Sequence, residues 1–151
     1  MTTVRFDPTG SAQSWAVPPH VAGTLTGSYL KGDTVATDCT WDGEGCGFLR
    51  DADYSVLFVR NTMRTPAVWA ATSAGTRPHI VAVDCTFDQS AGGSKLKTTP
   101  QSTPTIDLVR CDWTGPQVQG FAVNIEGGTL RLTETTLPPN SRALPPGVIE
   151  S

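Results

Sequence analysis

The sequence has no cluster of Lys or Arg. Its 11 basic residues are scattered among 14 acidic ones, giving a net charge of −3 and a pI of about 5.2. Duplex nucleic acid needs a basic face, so no nucleic-acid partner is expected. No apolar run reaches the ~18 residues of a membrane span, so no membrane partner is expected either. The opening stretch, MTTVRFDPTGSAQSW, has neither a basic n-region nor an apolar h-region. Synthesis in a cytoplasm without a cleaved Sec signal is the expectation. Lys and Glu are scarce, whereas Gly, Pro, Thr, Ser and Asp are plentiful. That balance favours turns and strands over helices. No CxxC pair occurs, and His20 and His79 lie far apart. Neither zinc ligation nor a nucleophilic triad is supported.

What the chain does have is a seven-residue phrase that returns five times. Its clearest copy is Val81–Phe87, VAVDCTF. The others are Val35–Trp41 (VATDCTW), Leu57–Met63 (LFVRNTM), Asp107–Trp113 (DLVRCDW) and Arg131–Leu137 (RLTETTL). The fifth position holds Cys39, Asn61, Cys85, Cys111 and Thr135, separated by 22, 24, 26 and 24 residues. Near-constant spacing with one strand-like phrase per repeat marks a stacked architecture.

Alternation within the phrase predicts inward odd positions. Position three is β-branched throughout: Thr37, Val59, Val83, Val109 and Thr133. Position seven is large and apolar: Trp41, Met63, Phe87, Trp113 and Leu137. Together with the fifth-position column these form the expected interior ladders. Three cysteines in one column indicate buried thiols rather than metal or disulfide chemistry. Cys46, in the turn GEGCG, is the one expected to react first.

The even positions are then expected to face outward. Position four alternates in sign through Asp38, Arg60, Asp84, Arg110 and Glu134, an ion-pair ladder. Position six holds Thr40, Thr62, Thr86, Asp112 and Thr136. A Thr column of this kind also appears in ice-binding solenoids, but there the coils are tight and regular. Position two holds Ala36, Phe58, Ala82, Leu108 and Leu132, entirely apolar. An outward apolar column predicts an oligomer interface.

Between phrases lie further strand candidates at Gly47–Arg50, Ala67–Ala71, Ser94–Thr98 and Phe121–Ile125. The pattern apolar-x-apolar-x-(Asn/Cys)-x-aromatic resembles the coils of right-handed parallel β-helix proteins of the pectate-lyase-like group. The resemblance covers residues 32–137. It implies an all-β fold, a short right-handed parallel β-helix of about four to five coils, with Asn or Cys ladders inside. Residues 1–30 are expected to form an N-terminal arm or cap, 31–137 the β-helix, and 138–151 a Pro-rich C-terminal arm unable to continue a sheet. An immunoglobulin-like sandwich is disfavoured, because Trp41 follows Cys39 too closely and Val83 stands where a Tyr is wanted.

Sites for chemistry are few. Asp51-Ala52-Asp53 lacks a third ligand for a metal. The Gly-rich stretches lack the Lys-Ser/Thr of a phosphate loop. Polygalacturonase-like enzymes of this fold carry paired Asp motifs, Gly-His and Arg-Ile-Lys elements, and none is present. Asp42, Asp51, Asp53 and Asp88 offer carboxylates for glycoside hydrolysis, yet no motif selects them. No catalytic residue, cofactor or metal is assigned.

A short solenoid with extended ends and an apolar outer column resembles bacteriophage virion structural proteins of the capsid-decoration or tail/spike type. That resemblance implies a non-enzymatic structural protein on the virion surface. The implied state is a homo-oligomer, a trimer, bound to the major capsid or a tail protein. The alternative it implies is a tailspike-like module that binds or cleaves carbohydrate, with Trp69 as its candidate aromatic.

Overall fold

The computed structural model describes the backbone of residues 4–5, 16–17, 23–26, 29–30, 34–42, 47–48, 55–64, 70–71, 77–91, 96–116, 119–143 and 148–150, with side chains for 35–40, 55–64, 77–90, 96–116 and 119–142. Every regular element among them is a strand, apart from one 3₁₀ turn at Gln89–Ala91. No helix of the described residues is long and apolar enough to cross a membrane.

The protein is all-β with mostly parallel sheets. The largest has six strands, ordered Val148–Glu150, Thr129–Thr133, Thr105–Val109, His79–Val83, Ser55–Val59 and Thr34–Thr37. A five-stranded sheet runs Asp112–Thr114, Thr86–Asp88, Thr62–Met63, Cys39–Asp42 and Gly23–Thr26. A four-stranded sheet runs Ala70–Ala71, Leu96–Thr98, Val123–Ile125 and Ser141–Ala143. In all three, each strand pairs in parallel with its counterpart from the next repeat. This arrangement is compatible with a parallel β-helix. A parallel pair Tyr29–Leu30/Gly47–Phe48 and an antiparallel pair Val4–Arg5/Ala16–Val17 complete the strands.

The register matches the phrase. Val81 stands between Leu57 and Asp107, and Thr86 between Thr62 and Asp112. Each of the first four phrases, however, is two strands rather than one. The break falls at position four, where Asp38, Arg60, Asp84, Arg110 and Glu134 have φ of 57°, 53°, 54°, 49° and 48°. A non-glycine residue in this left-handed region is uncommon and costs about 1 kcal/mol or more. Here it recurs in every repeat. The corner does not break the backbone ladder, because each position-four N–H donates to the position-three carbonyl of the next repeat. The N···O distances are 3.0 Å for Asp38 to Val59, 3.0 Å for Arg60 to Val83, 2.9 Å for Asp84 to Val109 and 2.9 Å for Arg110 to Thr133.

The corner resets the inward–outward alternation. Ahead of it, position two points inward, beside a column one residue before the phrase: Val56, Ile80, Ile106 and Leu130, all at most 2% exposed. Beyond it, positions five and seven point inward. Leu96, Ala122, Val123 and Ile125 close the core from the four-stranded sheet.

The stack also extends past both expected arm boundaries. Gly23–Thr26 pairs with Cys39–Asp42 on one side. On the other, Ser141–Ala143 pairs with Val123–Ile125, and Val148–Glu150 with Leu130–Leu132. The Pro-rich end therefore does continue two sheets. Its prolines fall between the pairing residues, so no ladder N–H is lost to them.

Candidate functional site

Four features were weighed for function: the corner column, the fifth-position column, the outer face of the six-stranded sheet, and a cleft. The corner column is an ion-pair ladder as the alternating signs imply. Arg60 donates to Asp38 through Nε at 2.7 Å and Nη2 at 2.9 Å. Arg110 holds Asp84 the same way at 2.7 and 3.2 Å. These hydrogen bonds keep the Asp84 carboxyl below the usual carboxylate range. Both pairs are solvent-exposed, so each is worth at most about 1 kcal/mol.

The fifth-position column has a chemical reason. Asn61 Nδ2 donates to the carbonyls of Ala36 and Val59, both at 2.9 Å. Cys85 Sγ donates to Phe58 at 3.5 Å and Val83 at 3.4 Å. Cys111 Sγ reaches Ala82 at 3.4 Å and Val109 at 3.5 Å. Thr135 Oγ1 reaches Leu108 at 3.3 Å and Thr133 at 2.9 Å. In each case one acceptor is position three of the same repeat and the other is position two of the repeat before. The position-three carbonyls also accept the position-four N–H of the repeat before, and the side chain supplies a donor to the second lone pair; buried carbonyls need such donors. Cys, Asn and Thr share a short side chain with a donor at its tip. Cys39, Cys85 and Cys111 are buried thiols, not disulfides. Burial first, then the Asp38 carboxylate, pushes the Cys39 thiol up to about 11. The hydrogen bond with Cys111, then burial, keeps Cys85 protonated.

The position-two column lies in the core. Ala36 is 6% exposed, Phe58, Ala82 and Leu108 are fully buried, and Leu132 is 6% exposed. These five residues cannot meet another chain while the fold is intact, which corrects the outward placement expected above. The cause is the left-handed corner, which shifts the alternation between positions three and five. Of the remaining ladder residues, Met63 and Phe87 are buried. Trp113 and Leu137 are half-buried and pack on the core, and Phe87 stacks on Trp113 at 4.7 Å. The side chain of Trp41 lies outside the described residues. So do Cys46, His20, Trp69, Asp51, Asp53 and the side chain of Asp42.

Half-buried apolar residues at positions one and three face outward instead, apart from the exposed Phe121. Val35, Leu57 and Val81 form one half-buried column, and Val59, Val83 and Val109 form its neighbour. Sequence reasoning missed this face, although Asp107 and Arg131 at position one were a usable signal that the column meets water. Around it, His79 Nε2 lies 2.7 Å from Asp107, and Arg131 lies 3.6 Å from the same carboxylate. Asp88, a candidate carboxylate, accepts from Ser90 N at 2.9 Å and lies 3.4 Å from Arg64. Both are structural contacts. Among the described residues no group of three or more His, Cys, Asp or Glu could hold a metal ion.

A cleft of about 450 Å³ opens where the five-stranded sheet ends at Asp112–Thr114. The last repeat should supply another strand there, but residues 135–138 pair with no neighbour as a strand. Pro138 and Pro139, neither of which can donate to a ladder, line the cleft with Glu134 and Thr136. Asp112, Trp113 and Gln89 also line it. Gln89 is 4% exposed, and its Oε1 has no hydrogen-bond partner; neither has Trp113 Nε1.

Fold and site together define an all-β protein of mostly parallel sheets with ladder-satisfied corners. Comparison with protein-family models, curated proteins and solved structures found no match to the chain.

Proposed function

We propose that the chain is a right-handed parallel β-helix of four to five short coils, and that it acts as a non-enzymatic structural protein of a phage virion. Its role in that reading is capsid decoration, as a homo-oligomer seated on the major capsid or a tail protein at the virion surface. Each repeat feeds the sheets in turn, and parallel crossovers are right-handed in ~98% of cases. The observation that carries the reading is the outer aliphatic face: Leu57, Val81, Val59, Val83 and Val109 side by side on a regular sheet. A contiguous apolar face of this kind on a stiff sheet suits burial against another copy.

Light scattering on the purified chain tests the oligomer. A trimer is expected, and Leu57→Asp with Val83→Asp should yield a monomer with unchanged circular dichroism. A monomeric parent chain, or an oligomer indifferent to both substitutions, would sink the proposal. Recovery of the chain in density-banded virions tests its location.

A further inference from the structure

We infer that the open edge of the five-stranded sheet, at Asp112–Thr114, takes up an extended peptide segment of a partner protein that carries Lys or Arg. The inference is independent of the structural role proposed above. Asp112 N donates to the Cys85 carbonyl at 3.0 Å, as Thr86 N donates to Asn61 at 2.9 Å. Each of these strands thus donates to the repeat before it. Among the described residues no such bond runs from Thr136 to Cys111, so the Cys111 carbonyl lacks its ladder donor. Successive residues of a parallel strand turn their backbone groups to alternate neighbours. Trp113 therefore turns its N–H and C=O away from Thr86–Asp88, towards the side where the sheet order ends. The donor for the Trp113 carbonyl would come from the residue that follows the fifth phrase, as Asp88 and Thr114 follow theirs. That residue is Pro138, which has no N–H.

An edge of this kind is a template for pairing with another strand. The cleft beside it decides which strand. Its volume of about 450 Å³ is that of a small-ligand site, room for one short extended segment but not for a further repeat. Asp112 and Glu134 line it as exposed carboxylates, and no Lys or Arg does. Arg110, which the Glu134 charge reaches, already holds Asp84 through two nitrogens. A segment with basic side chains gains from both carboxylates, and an acidic one is repelled. Main-chain hydrogen bonds to Cys111 and Trp113 supply the pairing, and the two carboxylates supply the selectivity.

The experiment is NMR on the full chain, titrated with three capped peptides: Lys-Thr-Val-Thr-Lys, its acidic counterpart Glu-Thr-Val-Thr-Glu, and the basic peptide N-methylated throughout. The basic peptide should shift the backbone amides of residues 112–115 saturably at millimolar concentration. It should also slow hydrogen exchange of the Trp113 amide at least about tenfold. The acidic and N-methylated peptides should do neither. Asp112→Asn with Glu134→Gln, both at exposed positions, should weaken binding at least about tenfold while leaving the unliganded spectrum otherwise intact. A Trp113 amide already protected in the free chain, no shift with the basic peptide, equal binding of either control peptide, or undiminished binding by the double variant would each overturn the inference.

Discussion

At the residue scale, Asn61 shows what a single side chain does in this fold. Its amide donates to two carbonyls, on Ala36 and Val59, the second of which also accepts the Asp38 N–H. Asn61→Ala takes the side-chain donor from the Ala36 carbonyl, while Val59 keeps the Asp38 N–H, so a loss of about 1–3 kcal/mol is expected in urea denaturation. Asn61→Cys keeps a donor in the column, as Cys85 and Cys111 do, and should cost less than about half as much. Equal losses for the two variants would show that volume, not hydrogen bonding, governs the position. Cys39 adds a pH dependence. Its folded thiol is pushed up to about 11, whereas an unfolded cysteine ionises near ~8.5. The folded state thus holds this proton more tightly. The resulting stability is complete below the unfolded value and is lost as pH rises towards the folded one, by about 1.4 kcal/mol per unit. Urea midpoints between pH 8 and 11 should fall, and Cys39→Ser should flatten the slope.

At the scale of the element, the unit is strand, corner, strand. The corner has a backbone conformation that favours glycine or asparagine, yet Asp, Arg and Glu occupy it. Arg60→Gly relieves the backbone and loses an exposed ion pair, so its net effect should stay within about 1 kcal/mol. Arg60→Val keeps the strain, adds a branched Cβ and loses the pair, and should cost roughly 2 kcal/mol. Thermal melts of the two variants decide this, and a Val variant as stable as the Gly variant would contradict the corner assignment. The same corner explains which parts of the fold were legible from sequence. Repeat spacing, parallel stacking and column membership follow from like residues recurring at one interval, and the strand pairing reproduces them. The direction each column faces depends on one φ angle, and no glycine or asparagine announced it. Position two was therefore expected outside and lies inside. The cleft was equally hidden, since it depends on where Pro138–Pro139 carries the chain rather than on any motif. Position seven needed no correction for Met63 and Phe87, because the alternation beyond the corner is unbroken.

At the scale of the whole molecule, core and outer face now make opposite demands. Phe58→Ser empties a fully buried site and should lower stability by about 3–5 kcal/mol. Its effect on assembly would appear only through unfolding. Leu57→Asp, one residue away on the outer face, should leave the fold intact and abolish the proposed oligomer. Chemical denaturation and light scattering on this adjacent pair separate packing from association. The alternating corner charges carry a further consequence, for length. Each Asp pairs with the Arg one repeat on, so the column obeys a parity rule. Deleting one interior repeat sets two charges of the same sign against each other, for example Arg60 against Arg110. Deleting two adjacent repeats restores the order, with Asp38 meeting Arg110. Solenoids of this sequence type should therefore lengthen and shorten by even numbers of turns.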